Sequence, residues 1–450
     1  LILKTQDPTV PSSLNVPRSK TSECITQIIK DLDEAATVLP SSYTGTDYGR
    51  ITKIAALGLK GRILMWWASP LFNPSNDPAR WQKAFDATKA AVDAADASGY
   101  GLLPKFRNIW YSQNKEQIMV NQYFYPDHYM NFASIRPQPF TNGAADGNQA
   151  LAPLLLAFPK KDGTPLQLDK SKLSDPGYNL QFLNDFYTNR DSRFYSTIWC
   201  CGTVYPTPDV VPGFATITPL WKAWKSVGSG SYTTIFTDVY GSTTGSGITG
   251  FYDRKGVDTT QTAASVVTGN SSAKSYWVPM RYAELLMNYG ECANETGSTA
   301  TALDVLYKIR ARAGMNVSNN YGISATTQSE LRTAYINERQ IEFAYENQRL
   351  PTLRRLKRYD ILNSQGARKA LLIVLKPGAP MPKPTDNILT PSVMANFSAT
   401  YVDNIDGDAS IYFNLDLNHW FYALNPSQIS IEPDKLPQNN EWGGTFDPLQ

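Results

Sequence analysis

The sequence predicts a mainly α-helical fold in which helical hairpins build a scaffold around a large loop-rich, aromatic-rich insertion with few short strands. Three observations predict it. Apolar residues recur at spacings of three and four through several long segments, and glycine or proline stands where those segments end. Between about 104 and 275 that period disappears, and Gly, Pro, Ser, Thr and aromatic residues take over.

The first helix covers residues 21–39, with Ile25, Ile28, Ile29, Leu32, Ala35, Ala36 and Leu39 on one stripe and Pro40 behind it; this is the pattern of a surface helix laid on a core. Residues 51–68 are apolar nearly all round, so this second helix is expected to be central, with at least one of Trp66 and Trp67 turned inward. Asp77 and Pro78 supply a cap and a first-turn residue for a third helix carrying Trp81, Ala84, Phe85, Ala91 and Ala95, stopped by Gly99. Helices two and three therefore form a hairpin.

The same design returns at residues 276–296 and 299–313, closed by Gly297 and Gly314. In the first of these, Tyr282, Leu285, Leu286, Tyr289, Cys292 and Ala293 share one face, and Glu284, Asn288, Glu291 and Glu295 take the other. A last long helix, 327–348, places Glu338 on a stripe with Leu331, Tyr335, Ile341 and Tyr345. An unpaired carboxylate there is costly, so a basic partner is expected among Arg310, Arg312, Arg349, Arg354 and Arg355, with Glu342 and Glu346 extending the acidic row. Glu338, Glu342, Arg310 and Arg349 are accordingly assigned to scaffold ion pairs.

Four segments follow: a helical part over 1–103, the irregular aromatic-rich part over 104–275, a second helical part over 276–364, and an irregular stretch over 365–450 that wraps the helices. Strands are expected near 117–124 and 196–204.

Composition excludes several functions. A net charge of +2 with only 18% charged residues gives no field for nucleic acid. No apolar stretch approaches the roughly 18–20 residues of a membrane span, and the first residues lack a basic-then-apolar leader. The chain opens at Leu1, so its terminus does not report localisation. Cys24 and Cys292 fall on helix stripes, and adjacent Cys200 and Cys201 point to opposite faces of a strand, so all four cysteines read as inert thiols.

His128 and His419 alone support neither a transition-metal site nor a histidine-based nucleophile. Asp403, Asp406 and Asp408, with Asn404 and Gly407, offer oxygens in a tight turn, a weak calcium candidate lacking the distal glutamate of the standard loop. The 40 acidic residues reveal no positioned pair for acid/base work, and the chain is read as a non-enzyme.

Aromatic residues are the strongest binding signal. They make up 12% of the chain, with 25 Tyr and 10 Trp, and flat rings grip neutral polar ligands. Rings on helix stripes are assigned to the core. Trp199, Tyr205, Trp221, Trp224, Tyr232 and Tyr240 fall in the irregular part, where loops carry function, and are the candidate ligand-binding residues. Trp221 and Trp224, three apart, are expected to form one platform on a short helical turn.

Motifs in order along the chain add a resemblance. They are Asp31-Leu32-Asp33-Glu34-Ala35; Gly61-Arg62 with Ala68-Ser69-Pro70-Leu71-Phe72-Asn73; Trp81 with Ala84; and Gly99-Tyr100-Gly101-Leu102. They continue with Asn189-Arg190-Asp191-Ser192-Arg193-Phe194, Arg281-Tyr282-Ala283-Glu284, Glu291-Cys292-Ala293-Asn294-Glu295, Ile309-Arg310-Ala311-Arg312-Ala313-Gly314, and Glu338-Arg339 with Glu342, Glu346 and Arg349. Asn425-Pro426 and Gln438-Asn439 close the series.

This series resembles the SusD/RagB family of surface nutrient-binding lipoproteins. The resemblance implies tetratricopeptide-like helix pairs, a loop-rich ligand face, a lipidated N-terminal cysteine that anchors the protein at the outer-membrane surface, and a SusC-like TonB-dependent transporter as partner. It also implies an oligosaccharide ligand or, alternatively, a peptide. Family members carry a longer stretch before the helix at Asp31-Leu32, so part of the binding face is expected outside this numbering or on another chain. A reading of another class is a protein-interaction scaffold of helical hairpins.

Overall fold

The computed structural model describes residues 1–14, 16–123, 128, 148–204, 221–228, 231–236 (as backbone), 249–257, 275–383, 385–417 and 419–450. Its helices of six residues or more are α1 (Thr21–Val38), α2 (Lys53–Ala68), α3 (Pro78–Ala97), α4 (Ala152–Ala157), α5 (Pro176–Thr188), α6 (Ser192–Thr197), α7 (Tyr282–Glu295), α8 (Thr299–Arg312), α9 (Gln328–Glu342) and α10 (Arg349–Arg355). The strands are β1 (Gln117–Asn121), β2 (Ile198–Cys200), β3 (Lys222–Gly228), β4 (Ser231–Phe236), β5 (Phe251–Asp253), β6 (Trp277–Arg281), β7 (Ala370–Leu375) and β8 (Phe397–Val402). No helix among the described residues is long and apolar enough to cross a membrane.

The expected hairpins are present. Thr52 caps α2 by accepting from Ala55 N, and Asp77 caps α3 by accepting from Ala79 N. α2 and α3 lie close because Gly61 faces Thr88, where a Cβ would come within 3.0 Å of the threonine side chain. α7 packs against α3, α8 and α9 over a shared core of Ile54, Ala91, Leu285, Leu286, Leu306, Ile309 and Leu331. Gly290 on α7 is needed for the closest of these approaches. A Cβ there would sit 2.0 Å from the Tyr335 hydroxyl, which donates to Ala302 O at 2.7 Å.

α7 differs from expectation in two respects. It starts only at Tyr282, because residues 277–281 form β6 and pair antiparallel with β1. Its polar face is also buried: Glu284, Asn288 and Glu291 are covered as fully as Leu285 and Leu286. The carboxylates tolerate this because each meets guanidinium groups, Glu284 that of Arg62, Glu291 those of Arg339 and Arg355, and Glu295 that of Arg332.

α9 likewise ends at Glu342, short of 348. Its last carbonyls are claimed by buried cations, Glu342 O by Lys255 Nζ and Arg281 Nη2 and Ala344 O by Lys255 Nζ, and the chain then turns through left-handed Tyr345 and Asn347.

Glu338 and Glu342, one helical turn apart, are the hub of a buried ion network. Glu338 accepts from Arg193 Nη1 at 2.7 Å and Arg310 Nε at 2.8 Å. Glu342 accepts from Arg193, Arg281 and Arg312, and these three cations hold its carboxyl well below the ordinary range against the opposing effect of burial. Asp191 pairs with Arg193, Glu116 with Arg281 and Arg312, and Glu346 with Arg281 and Lys255. Arg193, Lys255, Arg281, Arg310 and Arg312 thus balance Glu116, Asp191, Glu338, Glu342 and Glu346, five against five.

Arg310 joins this network as expected and Arg349 does not. Arg349 opens α10 and spends its guanidinium on Ile336 O at 3.2 Å, with no carboxylate partner among the described residues.

A second core lies outside the helices. β3 is flanked by β4 and, in parallel, by β7, which pairs antiparallel with β8. Every residue of β7 is buried, so the stretch 365–450, expected to be irregular, supplies a central strand. Phe158, Phe182, Phe186, Phe194, Trp221, Phe251, Leu371 and Phe397 fill the space between this sheet and α4, α5 and α6. α5, within the segment expected to lack helices, is set by Asp175 and Pro176 at its start.

Two stability effects follow. Glu342→Gln leaves three guanidinium groups short of a charge, and is expected to cost about 3–5 kcal/mol in urea unfolding. Asp253 is buried with no salt bridge among the described residues, and burial pushes its carboxyl up to about 8 from 3.8. The folded chain therefore keeps a proton that the unfolded chain releases, so this group's contribution is fullest below 3.8 and declines as pH rises toward about 8. Asp253→Asn is expected to raise the urea midpoint at pH 7.5 and to leave it unchanged near pH 4.

Candidate functional site

The rings singled out in the irregular part separate into distinct environments. Trp199, on β2, is 1% exposed and packs on Tyr252, their ring centroids 5.5 Å apart. Trp221 is 0% exposed; it stacks on Phe397 at 4.8 Å and donates from Nε1 to Asp386 O at 3.1 Å. Neither indole presents a face to a ligand, which corrects their assignment as binding residues: Trp221 belongs to the second core, and Trp199 is buried against Tyr252. Trp224 is half-buried on β3, beside Ala370, Leu372 and Val374.

Because residues 222–228 are a strand and not a helical turn, side chains three apart point to opposite faces, and Trp221 and Trp224 form no common platform. Tyr232 lies in β4, whose backbone alone is described, and Tyr205 and Tyr240 lie outside the described residues.

The calcium candidates are also dispersed. Asp403 pairs with Lys170, Asp406 with Arg368, and Asp408 accepts from Ser410. The described residues contain no group of three or more His, Cys, Asp or Glu side chains able to hold a metal. Cys200 and Cys201 form no disulfide, and burial pushes the Cys200 thiol up to about 12, away from reactivity.

Two other indoles do meet in an open cleft of about 220 Å³ between the end of α2, β6 and the turn after α9. Met65 and Ala68 point inward on α2, which leaves Trp66 on the outer side, 37% exposed. Neither Trp66 nor Trp67 is buried, contrary to expectation; Trp67 is instead capped by Phe72 and the Arg80 guanidinium. Trp277 opens β6, where Val278 and Met280 are buried and the alternation of a strand turns Trp277 and Pro279 toward the cleft.

The cleft's polar wall is fixed by ion pairs. Arg62 grips Glu284 through Nε at 2.6 Å and Nη2 at 2.7 Å, and also donates to Pro279 O at 2.9 Å. Gln348 Nε2 donates to Glu284 Oε2 at 3.0 Å. Beneath them Arg355 and Arg339 hold the Glu291 carboxyl at about 2, overcoming a burial effect that alone would raise it. Left-handed Asn347 places an exposed amide at the rim.

Both carboxylates of the cleft, Glu284 and Glu346, are engaged by cations. The arrangement offers ring faces and amide hydrogen bonds to a neutral, hydroxylated ligand. The signals for these indoles were present in the sequence, as the helical phase of Trp66 and the strand phase of Trp277.

Helix pairs with an aromatic cleft at their edge define a tetratricopeptide-like helical scaffold. The chain belongs to the SusD family, whose model matches residues 81–442. It is similar to the SusD-like protein P2 of Formosa agariphila, 34% identical over 93 residues, which are 20% of this chain and 18% of that relative.

Among solved structures it resembles a SusD-like protein of Bacteroides fragilis, with 24% identity, a TM-score of 0.64, and coverage of 94% of this chain and 72% of that one. It also resembles a SusD-like carbohydrate-binding protein of the same species, with 20% identity, a TM-score of 0.65, and coverage of 97% and 74%. At these identities the likeness establishes the fold.

The different burial of the indoles has a measurable consequence. Trp221→Ala is expected to cost about 3–5 kcal/mol in chemical denaturation, whereas Trp66→Ala stays within about 1 kcal/mol.

Proposed function

We propose that the protein is a non-catalytic glycan-binding component of a nutrient-uptake system, and that the Trp66/Trp277 cleft is one of its ligand contacts. The observation that carries this reading is the pairing of two accessible indoles with an open amide on a wall held rigid by ion pairs. Membership of the SusD family supports carbohydrate as the ligand class. Stacking of sugar rings on indole needs such preorganised faces, since a side chain ordered only on binding gives back part of the gain as lost entropy.

Catalysis needs a carboxyl free to move a proton, and the paired states of Glu284 and Glu346 speak for binding alone. Family membership further supports a lipid-anchored position at the outer-membrane surface and handover of the ligand to a SusC-like TonB-dependent transporter. Trp224, half-buried on β3, and Tyr205, Tyr232 and Tyr240 remain candidates for further contacts.

A glycan and peptide array followed by calorimetry on the best binder tests the reading. Trp66→Ala and Trp277→Ala are each expected to weaken glycan binding about tenfold, the loss of one ring contact. Unchanged affinity in both variants removes the cleft from the site, and binding confined to peptides replaces the ligand class.

A further inference from the structure

A larger cavity, about 470 Å³, lies on the other side of the Arg339–Glu291–Arg355 cluster from the indole cleft. Its walls are the turn between α2 and α3, the C-terminal turn of α7, the middle of α9 and the residues just after α10. Pro70, Pro74, Ile336 and Leu356 give it apolar flats, and Asn76, Lys357 and Arg358 line its polar side.

The charge around it is unbalanced. Glu295 is matched by Arg332 through two hydrogen bonds, and Arg358 by Asp360 through two more. Behind the wall, among the described residues, Arg62, Arg339 and Arg355 pair with Glu284 and Glu291, three guanidinium groups to two carboxylates. Lys357 has no salt bridge among the described residues; its ammonium lies 5.4 Å above the Trp420 ring. Glu291 and Glu295, whose carboxylates also line the cavity, are both held by guanidinium groups, so an anion entering it would meet one ammonium, that of Lys357, with no salt bridge among the described residues.

The backbone points the same way. α10 ends in paired hydrogen bonds, Lys357 N to Arg354 O at 3.0 Å and Arg358 N to Leu353 O at 2.7 Å, with Lys357 at φ +54°. Glycine is the residue this position favours, and a lysine there carries a conformational cost that its backbone role does not require. Asn76, across the cavity, is left-handed as well, at φ +52°, and its Oδ1 accepts from Trp81 Nε1 at 3.3 Å, which leaves the amide nitrogen for another partner.

We propose that this cavity is a second ligand site, distinct from the indole cleft, that takes a sugar acid. The carboxylate pairs with Lys357 Nζ, the ring lies against Pro70, Pro74 and Leu356, and a hydroxyl accepts from the Asn76 amide.

Calorimetric titration of the full chain with sodium D-glucuronate, D-glucose, sodium acetate and triglycine tests it. Glucuronate is expected to bind about tenfold more tightly than glucose, which lacks the charge-assisted hydrogen bond, and about tenfold more tightly than acetate or triglycine, which lack the ring and its hydroxyls. Lys357→Gly is expected to lose about tenfold in glucuronate affinity while Tm holds or rises, because glycine relieves the left-handed turn. Lys357→Arg keeps the charge and stays within about threefold, and Trp66→Ala leaves glucuronate binding unchanged. No binding of glucuronate by the unaltered chain, undiminished binding by Lys357→Gly, loss in Trp66→Ala in place of Lys357→Gly, or acetate or triglycine equal to glucuronate would each overturn the assignment.

Discussion

The carboxylate of Glu342 holds the two halves of the molecule in register. It sits where α9 ends, and its partners arrive from α6, from the junction of β6 and α7, and from the end of α8. The charge adds a geometric demand to that of apolar packing, because its partners must stay at hydrogen-bond distance and direction. Taking the charge out of water is expensive, and three guanidinium groups at hydrogen-bond distance offset that expense only in one arrangement. The network is thus better understood as a device for choosing a geometry than as a store of stability.

The same chemistry shapes the indole cleft. Arg62 reaches from α2 to Glu284 on α7 and to the carbonyl of Pro279, so the helical hairpin and β6 are fastened together at the cleft that Trp66 and Trp277 line. Glu291 draws Arg339 and Arg355 into the wall between the indole cleft and the larger cavity. Ion pairing in this protein does for its polar surfaces what core packing does for ordinary ones, and it does so from helix faces that look solvent-facing by pattern alone.

That pattern explains what the sequence could and could not reveal. The hairpins were legible because caps and glycine stops coincide with apolar spacing, as at Asp77, Gly297 and Gly314. The demand of Glu338 for a cation was legible too, and Arg310 met it; Arg193 could not be foreseen, since it comes from 145 residues away in a segment without a helical period. β7, Ala-Leu-Leu-Ile-Val-Leu, escaped notice because a strand buried on both faces has no alternation to show. Without that strand in view, Trp221 has no visible partner in the sequence and reads as a loop residue, although Phe397 and Leu371 bury it.

The parallel pairing of β3 with β7 places Trp224 beside Val374, and nearly the whole second set of helices lies between them in the chain. During synthesis from the N-terminus, the earlier strand leaves the ribosome long before its neighbour exists. Its indole, Trp224, and the edge that β7 will cover stay without that neighbour until α7 to α10 have been made. The aromatic core of this sheet can therefore be completed only after the helical scaffold has been made, when residues 370–375 arrive beside β3.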